Sequence, residues 1–229
     1  MPDRSATLQA FLDSMHTTIQ ARTRASDPAA LAAGRIFSAL EKSGTSAPRP
    51  PKQVPACGFL EEALLAATQA GRAGTEHASA LAGLAPDLAW YTRPGSDHGD
   101  ERFATGHANA TIIGNGGLEE CPNVRIGVSL LAPNLRYPDH RHPPEEVYVP
   151  LSPGAWRQDD GPWREPGLDG IVYNPPNILH AMRAASEPLL ATCVYGANEG
   201  QYRQLQPGRI AIYHCLNRAQ TNRCGTQTP

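Results

Sequence analysis

The hydrophobic rhythm of the chain changes near residue 100. Before that point apolar residues return every three or four positions, and Leu8, Phe11, Leu12, Met15 and Ile19 fall on one stripe of a helix that begins near Ser5. A second helix opens at Ser26-Asp27-Pro28, a cap followed by proline in the first turn, and is expected to bury Leu31, Ile36 and Leu40 before Gly44 stops it. Residues 44–56 hold four prolines and read as a linker or an ordered crossover. A third helix is expected over 58–70, with Leu60, Leu64 and Ala67 on one side and Gly71 ending it. These stripes exceed what a short extension can bury on itself. They are expected to cover a neighbouring barrel, a second copy or both, and a homodimer is expected.

Beyond residue 100 the pattern becomes short β-branched runs between Gly, Pro and Asn. Strands are expected at 110–113, 124–131, 146–151, 170–173, 189–194 and 209–213. Many short strands separated by turns indicate a sandwich or barrel. The organisation read from the pattern is mainly β: a helical N-terminal region over 1–100, a small β-barrel over 101–216, and a polar, frayed tail over 217–229.

Two segments in the β region carry chemistry. The first is His140-Arg-His142-Pro-Pro-Glu-Glu146-Val-Tyr148, and the second runs from Gly170 through Pro176 to His180. On a strand, side chains two apart share a face, so His140 and His142 point together and Glu146 and Tyr148 continue the row. The turn residues Gly161, Pro162 and Gly167, with Trp156, bring a later strand carrying His180 back alongside. A single histidine in a strand is usually a core or surface residue. Here three of the chain's eight histidines fall at ligand spacing beside a carboxylate of the right parity, which points to one bound divalent transition metal. Zn, Fe, Mn, Co and Ni all suit such a set. The spacing is also that of the two cupin motifs, so the barrel is expected to be a cupin, a double-stranded β-helix, with the metal in its mouth. The first motif departs at two turn positions: Asn134 stands where its leading glycine would be, and one extra residue separates Glu146 from Gly154.

Charge and composition narrow the partners. At 229 residues and a net charge of −2, with no basic run, the chain offers nothing to nucleic acid. It shows neither a secretory apolar segment nor a run long enough to span a membrane, so a cytoplasmic protein is expected. The five cysteines, Cys57, Cys121, Cys193, Cys215 and Cys224, are scattered and read as free thiols in a reducing compartment.

A cupin barrel does not name a reaction. Tyr148 lies on the face of Glu146, and a nearby cation would favour its phenolate, making it a base; a barrel-lining tyrosine that only hydrogen-bonds is the plainer alternative. Tyr137 precedes Pro138-Asp139, which bends the chain, so it enters the pocket or stacks on its rim. Trp156, Trp163 and Tyr195 are further aromatics that, gathered into a box, would attract a ligand cation such as an onium group.

The block from Arg136 to Gly154, the block from Tyr173 to Met182 and the stretch from Gly106 to Gly114 resemble the cupin-type dimethylsulfoniopropionate (DMSP) lyases of the DddL/DddQ group, from about residue 80 onward. The resemblance implies a metal on His142, Glu146 and His180. It also implies a catalytic tyrosine at Tyr148 and a second at Tyr137. His140 would be an extra ligand or a hydrogen-bond partner of substrate or water, while aromatics including Trp163 and Tyr195 would hold the sulfonium. The implied reaction is β-elimination of the small-molecule substrate DMSP to dimethyl sulfide and acrylate. Two rivals are a mononuclear Fe(II) cupin dioxygenase and a non-catalytic small-molecule-binding cupin.

Overall fold

A computed structural model describes residues 4–47, 49–69, 74–93 and 101–196. The strand expected at 209–213, the tail at 217–229, Cys215, Cys224, Ala70 and Gly71 lie outside the described residues.

Helix α1, Ala6–Arg22, starts where Ser5 Oγ accepts the Leu8 N–H at 3.2 Å, and its five-residue apolar stripe is buried throughout. Helix α2, Pro28–Ala39, carries its proline at the first turn, but its buried face runs through Ala29, Ala32, Ala33 and Ile36. Leu31 therefore lies about two residues round the helix from that face and is 52% exposed, contrary to expectation. A 3-10 turn, Pro55–Phe59, leads into α3, Leu60–Gln69, which buries Leu60, Ala63 and Ala67. Helix α4, Thr75–Leu84, was not legible beforehand, because its inward stripe begins with the polar His77. Helix α5, Glu101–Gly106, leads into the barrel.

The strands are β1 Thr45–Ser46, β2 His107–Ile113, β3 Glu119–Glu120, β4 Val124–Leu131, β5 Arg136–His140, β6 Glu145–Pro150, β7 Gly154–Gln158, β8 Val172–Asn174, β9 His180–Ala184 and β10 Leu189–Gly196. They form a seven-stranded sheet, β1-β3-β2-β4-β10-β6-β8, and a three-stranded sheet, β5-β9-β7. The architecture is the cupin barrel flanked by N-terminal helices. Alternation on β4 shows how the layers divide. Val124, Ile126, Val128 and Leu130 join the helices in one core, while Leu131 joins Tyr137, Trp156 and Met182 of the small sheet in a second core inside the barrel.

The N-terminal part is not purely helical. Residues 44–56 are an ordered crossover in which β1 pairs with β3 and Lys52 bridges Ala89, while Tyr91 pairs with Asn109 on β2. Strands β5 and β9 are the ones expected to carry His140 and His180, whereas β7 was not expected, because its Arg and Gln hide the alternation.

The motif turn positions have physical causes. Asn134 sits at φ 58°, a left-handed conformation that Asn tolerates better than most side chains, so it serves in the glycine's place. At Gly154 a Cβ would stand 2.2 Å from Leu189 Cδ1 and 3.1 Å from the Arg183 carbonyl oxygen; at Gly170 it would stand 2.3 Å from the Pro166 carbonyl oxygen. Among the described residues no helix is long and apolar enough to cross a membrane.

Candidate functional site

Strand register builds the interior in rows. Arg125, Tyr195, Glu146 and Asn174 are cross-strand neighbours on β4, β10, β6 and β8, and Gly127, Cys193, Tyr148 and Val172 form the next row on the same face. The small sheet answers with Tyr137, Met182 and Trp156 in one row and His140, His180 and Gln158 in another. The expected single row of ligands is corrected here: β5 ends at His140 and β6 begins at Glu145, in different sheets, with His142 on the turn between them. That turn is tied down by the Asn177 N–H, which donates to the His142 carbonyl at 2.9 Å.

Tyr137 and His140 stand three apart, a spacing that would put them on opposite faces of a regular strand. Their β9 partners, Met182 and His180, are only two apart, so β5 carries a bulge at Pro138-Asp139. The bulge turns both side chains inward.

His140, His142 and His180 are buried, and their candidate ligand atoms lie within 4.8 Å of one another. Each ring has its Nδ1 at a backbone carbonyl two residues away: Pro138 at 2.9 Å for His140, Pro144 at 2.8 Å for His142, and Ile178 at 3.0 Å for His180. A carbonyl only accepts, so each Nδ1 carries the proton and each Nε2 presents a lone pair. Glu146 Oε2 lies 3.3 Å from both His142 Nε2 and His180 Nε2. Burial alone would push the Glu146 carboxyl up, but its setting against His142 and His180 outweighs this and holds the group well below the ordinary carboxylate range. Burial first, and Arg93 with it, holds His140 well below its ordinary value, so it stays neutral.

Lone pairs converging on an anion call for a positive charge between them. His142 Nε2, His180 Nε2 and Glu146 Oε1 are buried with no hydrogen-bond partner. Ligand atoms about 2.0–2.1 Å from a first-row ion stand about 3.0–3.4 Å apart, the spacing of Glu146 Oε2 from His142 Nε2 and His180 Nε2. The donor set fits a divalent transition metal.

Tyr148 is buried and packs 6.0 Å from the Trp156 ring. Burial, then the Glu146 charge, push its pKa well above the ordinary phenol value. Burial raises Tyr137 too, but Arg93 acts against it, with Nη1 donating to the Tyr137 hydroxyl at 3.2 Å. Tyr195 stands edge-on to His142 at 5.1 Å, with the Arg125 guanidinium 5.8 Å from its ring centre. Trp163 is not brought to the site. It lies on the outer face of the small sheet, with the guanidinium carbons of Arg183, Arg157 and Arg136 at 4.6, 5.2 and 5.7 Å from its ring centre. The expected box of Trp156, Trp163 and Tyr195 is therefore not assembled.

Sequence reasoning missed Arg93 and Asn174. Arg93 falls in the stretch read as helical, and Asn174 falls one residue past the strand expected at 170–173. The family model for DMSP lyase matches residues 29–191. The chain is 31% identical over 163 residues to a Cereibacter sphaeroides protein provisionally named dimethylsulfoniopropionate lyase DddL, covering 70% of this chain and 66% of that one. It is 30% identical over 162 residues to the dimethylsulfoniopropionate lyase DddQ of Ruegeria pomeroyi, covering 69% of this chain and 78% of that protein. The crystal structure of the Ruegeria pomeroyi DddQ superposes with a TM-score of 0.66 at 25% identity, over 85% of this chain and 93% of the other.

Proposed function

The chain belongs to the dimethylsulfoniopropionate lyase family, and from that premise we propose that it cleaves DMSP by β-elimination to dimethyl sulfide and acrylate inside the barrel. The observation that carries this reading is the set of converging imidazole nitrogens around Glu146, each fixed by its Nδ1 bond. His142, Glu146 and His180, with His140 beside them, would hold one divalent transition metal, which supplies Lewis-acid polarisation of the substrate carboxylate.

The chain's own residues do the rest. Tyr148 faces the interior one row from Glu146 and is the proposed base for the α-proton. Burial, then the Glu146 charge, keeps Tyr148 protonated, and ligation would take up the second of these, which favours the phenolate. Dimethyl sulfide departs neutral, so no strong acid is required. Tyr195, beside His142, offers a π-face to the sulfonium. The deep, largely apolar surround of Trp156, Met182 and Leu189 excludes water.

A second reading exchanges the tyrosines. The Arg93 bond gives Tyr137 a cationic donor that would stabilise its phenolate, and Tyr148 has a carboxylate neighbour instead. The test of the function is headspace detection of dimethyl sulfide from purified protein supplied with DMSP, with and without air. Release without oxygen supports elimination. Metal-loaded protein that releases none overturns it.

A further inference from the structure

Glu146 is steered by a relay that the reaction itself does not use. Asn174 is fully buried, and its Nδ2 donates to Glu146 Oε2 at 2.9 Å. A side-chain amide fits either way round, so something must choose its orientation. Gln158 Nε2 donates to Asn174 Oδ1 at 2.8 Å, which commits the oxygen end and turns the nitrogen end toward Glu146. Gln158 is fixed in turn by donating from Nε2 to the Tyr173 carbonyl at 2.7 Å.

Strand pairing gives the relay its reach. Asn174 is the cross-strand neighbour of Glu146 in the large sheet, and Gln158 is the cross-strand neighbour of His180 in the small one. Strands β8 and β7 are the edges of two sheets that share no ladder, so the Gln158–Asn174 bond crosses the gap between them. The chemistry of the donor also matters. A lysine or arginine here would neutralise the carboxylate, whereas an amide orients it and leaves its charge intact.

We propose that Asn174, oriented by Gln158, is the positioning residue of the metal centre: it holds Glu146 Oε2 against the nitrogens of His142 and His180 and ties the two sheets that carry the ligands. The proposal rests on the metal reading above. Its consequence is that the exposed Gln158 acts on metal affinity only through Asn174.

The experiment measures cobalt(II) affinity by chelator competition, and the cobalt absorption band, for the full chain and for Asn174→Ala, Gln158→Ala and the double variant. Asn174→Ala is expected to lose about 10–100-fold in affinity, the range typical of outer-shell partners, and to change the band shape as Glu146 reorients. Gln158→Ala is expected to lose less, and the double variant no more than Asn174→Ala alone. Because Gln158 is exposed, its variant reports even if Asn174→Ala fails to fold. Native affinity and band in either folded single variant, or losses that simply add in the double, overturn the proposal. If the unaltered chain takes up no cobalt, the metal reading falls first and this one with it.

Discussion

Replacing Tyr148 by Phe separates the chemistry of the pocket from its packing. The ring stays against Trp156 and only a buried hydroxyl is deleted, so the fold loses no more than the about 0.5–1.5 kcal/mol that a single hydrogen bond is worth. Turnover is expected to fall by about 10²–10⁴, which is about 2.7–5.4 kcal/mol on the barrier at about 1.36 kcal/mol per decade. Tyr137→Phe behaves in the opposite sense. It strips the acceptor from the Arg93 guanidinium in a buried setting, for which the usual value is about 1.5–3 kcal/mol of stability, and it costs less turnover. The two variants should therefore rank one way by dimethyl sulfide release at saturating DMSP and the other way by urea midpoint, with metal content checked by elemental analysis. A metal-replete Tyr148→Phe protein with near-native release would refute the assignment. So would a Tyr137→Phe protein that loses more turnover than Tyr148→Phe, and that result would transfer the base to Tyr137.

His180→Ala removes one of three converging donors, and elemental analysis should show strongly reduced metal beside a near-native circular dichroism spectrum; full metal retention would mean the site is misassigned. His77 is fully buried, and burial, then Arg22, lower its pKa to about 3, so between the free value of 6.5 and that point the unfolded chain binds a proton the folded chain refuses. Stability is therefore complete above pH 6.5 and falls by about 1.4 kcal/mol per unit below it, and His77→Gln should remove that share of the slope in urea melts from pH 6.5 to 5. His107, lowered to about 4 by burial first, should leave a similar slope behind in the variant; an unchanged total slope would contradict the account. Gly154→Ala should cost about 1–3 kcal/mol through the clash with Leu189, while cobalt affinity stays native; an unshifted melting curve would show that Leu189 simply moves.

The candidate ligand residues were legible because cupin spacing is a property of the local chain, and each histidine's tautomer depends on a carbonyl two residues away. The apolar stripe of α1 was legible for the same reason. What stayed hidden depends on register between distant strands. The outward turn of Trp163 follows from its loop crossing the guanidinium face of β5, β9 and β7, which no single segment announces. Asn174 gains its role only from facing Glu146 across a ladder, 28 residues away in sequence. Leu31 was misread because alanines, which carry little hydropathy signal, occupy the buried stripe of α2.

The bulge in β5 makes the spacing between Tyr137 and His140 a free parameter of the wall they share. A straight strand with one residue fewer would aim both side chains at the same neighbours, Met182 and His180. Sequence comparison would score that shorter version as a gap inside the site, yet the inner surface would be the same. The surplus residue serves the other side of the sheet: Asp139 faces outward and clamps Arg136 and Arg157 beneath Trp163. One inserted residue thus equips the exterior with an anchor and leaves the interior as it was.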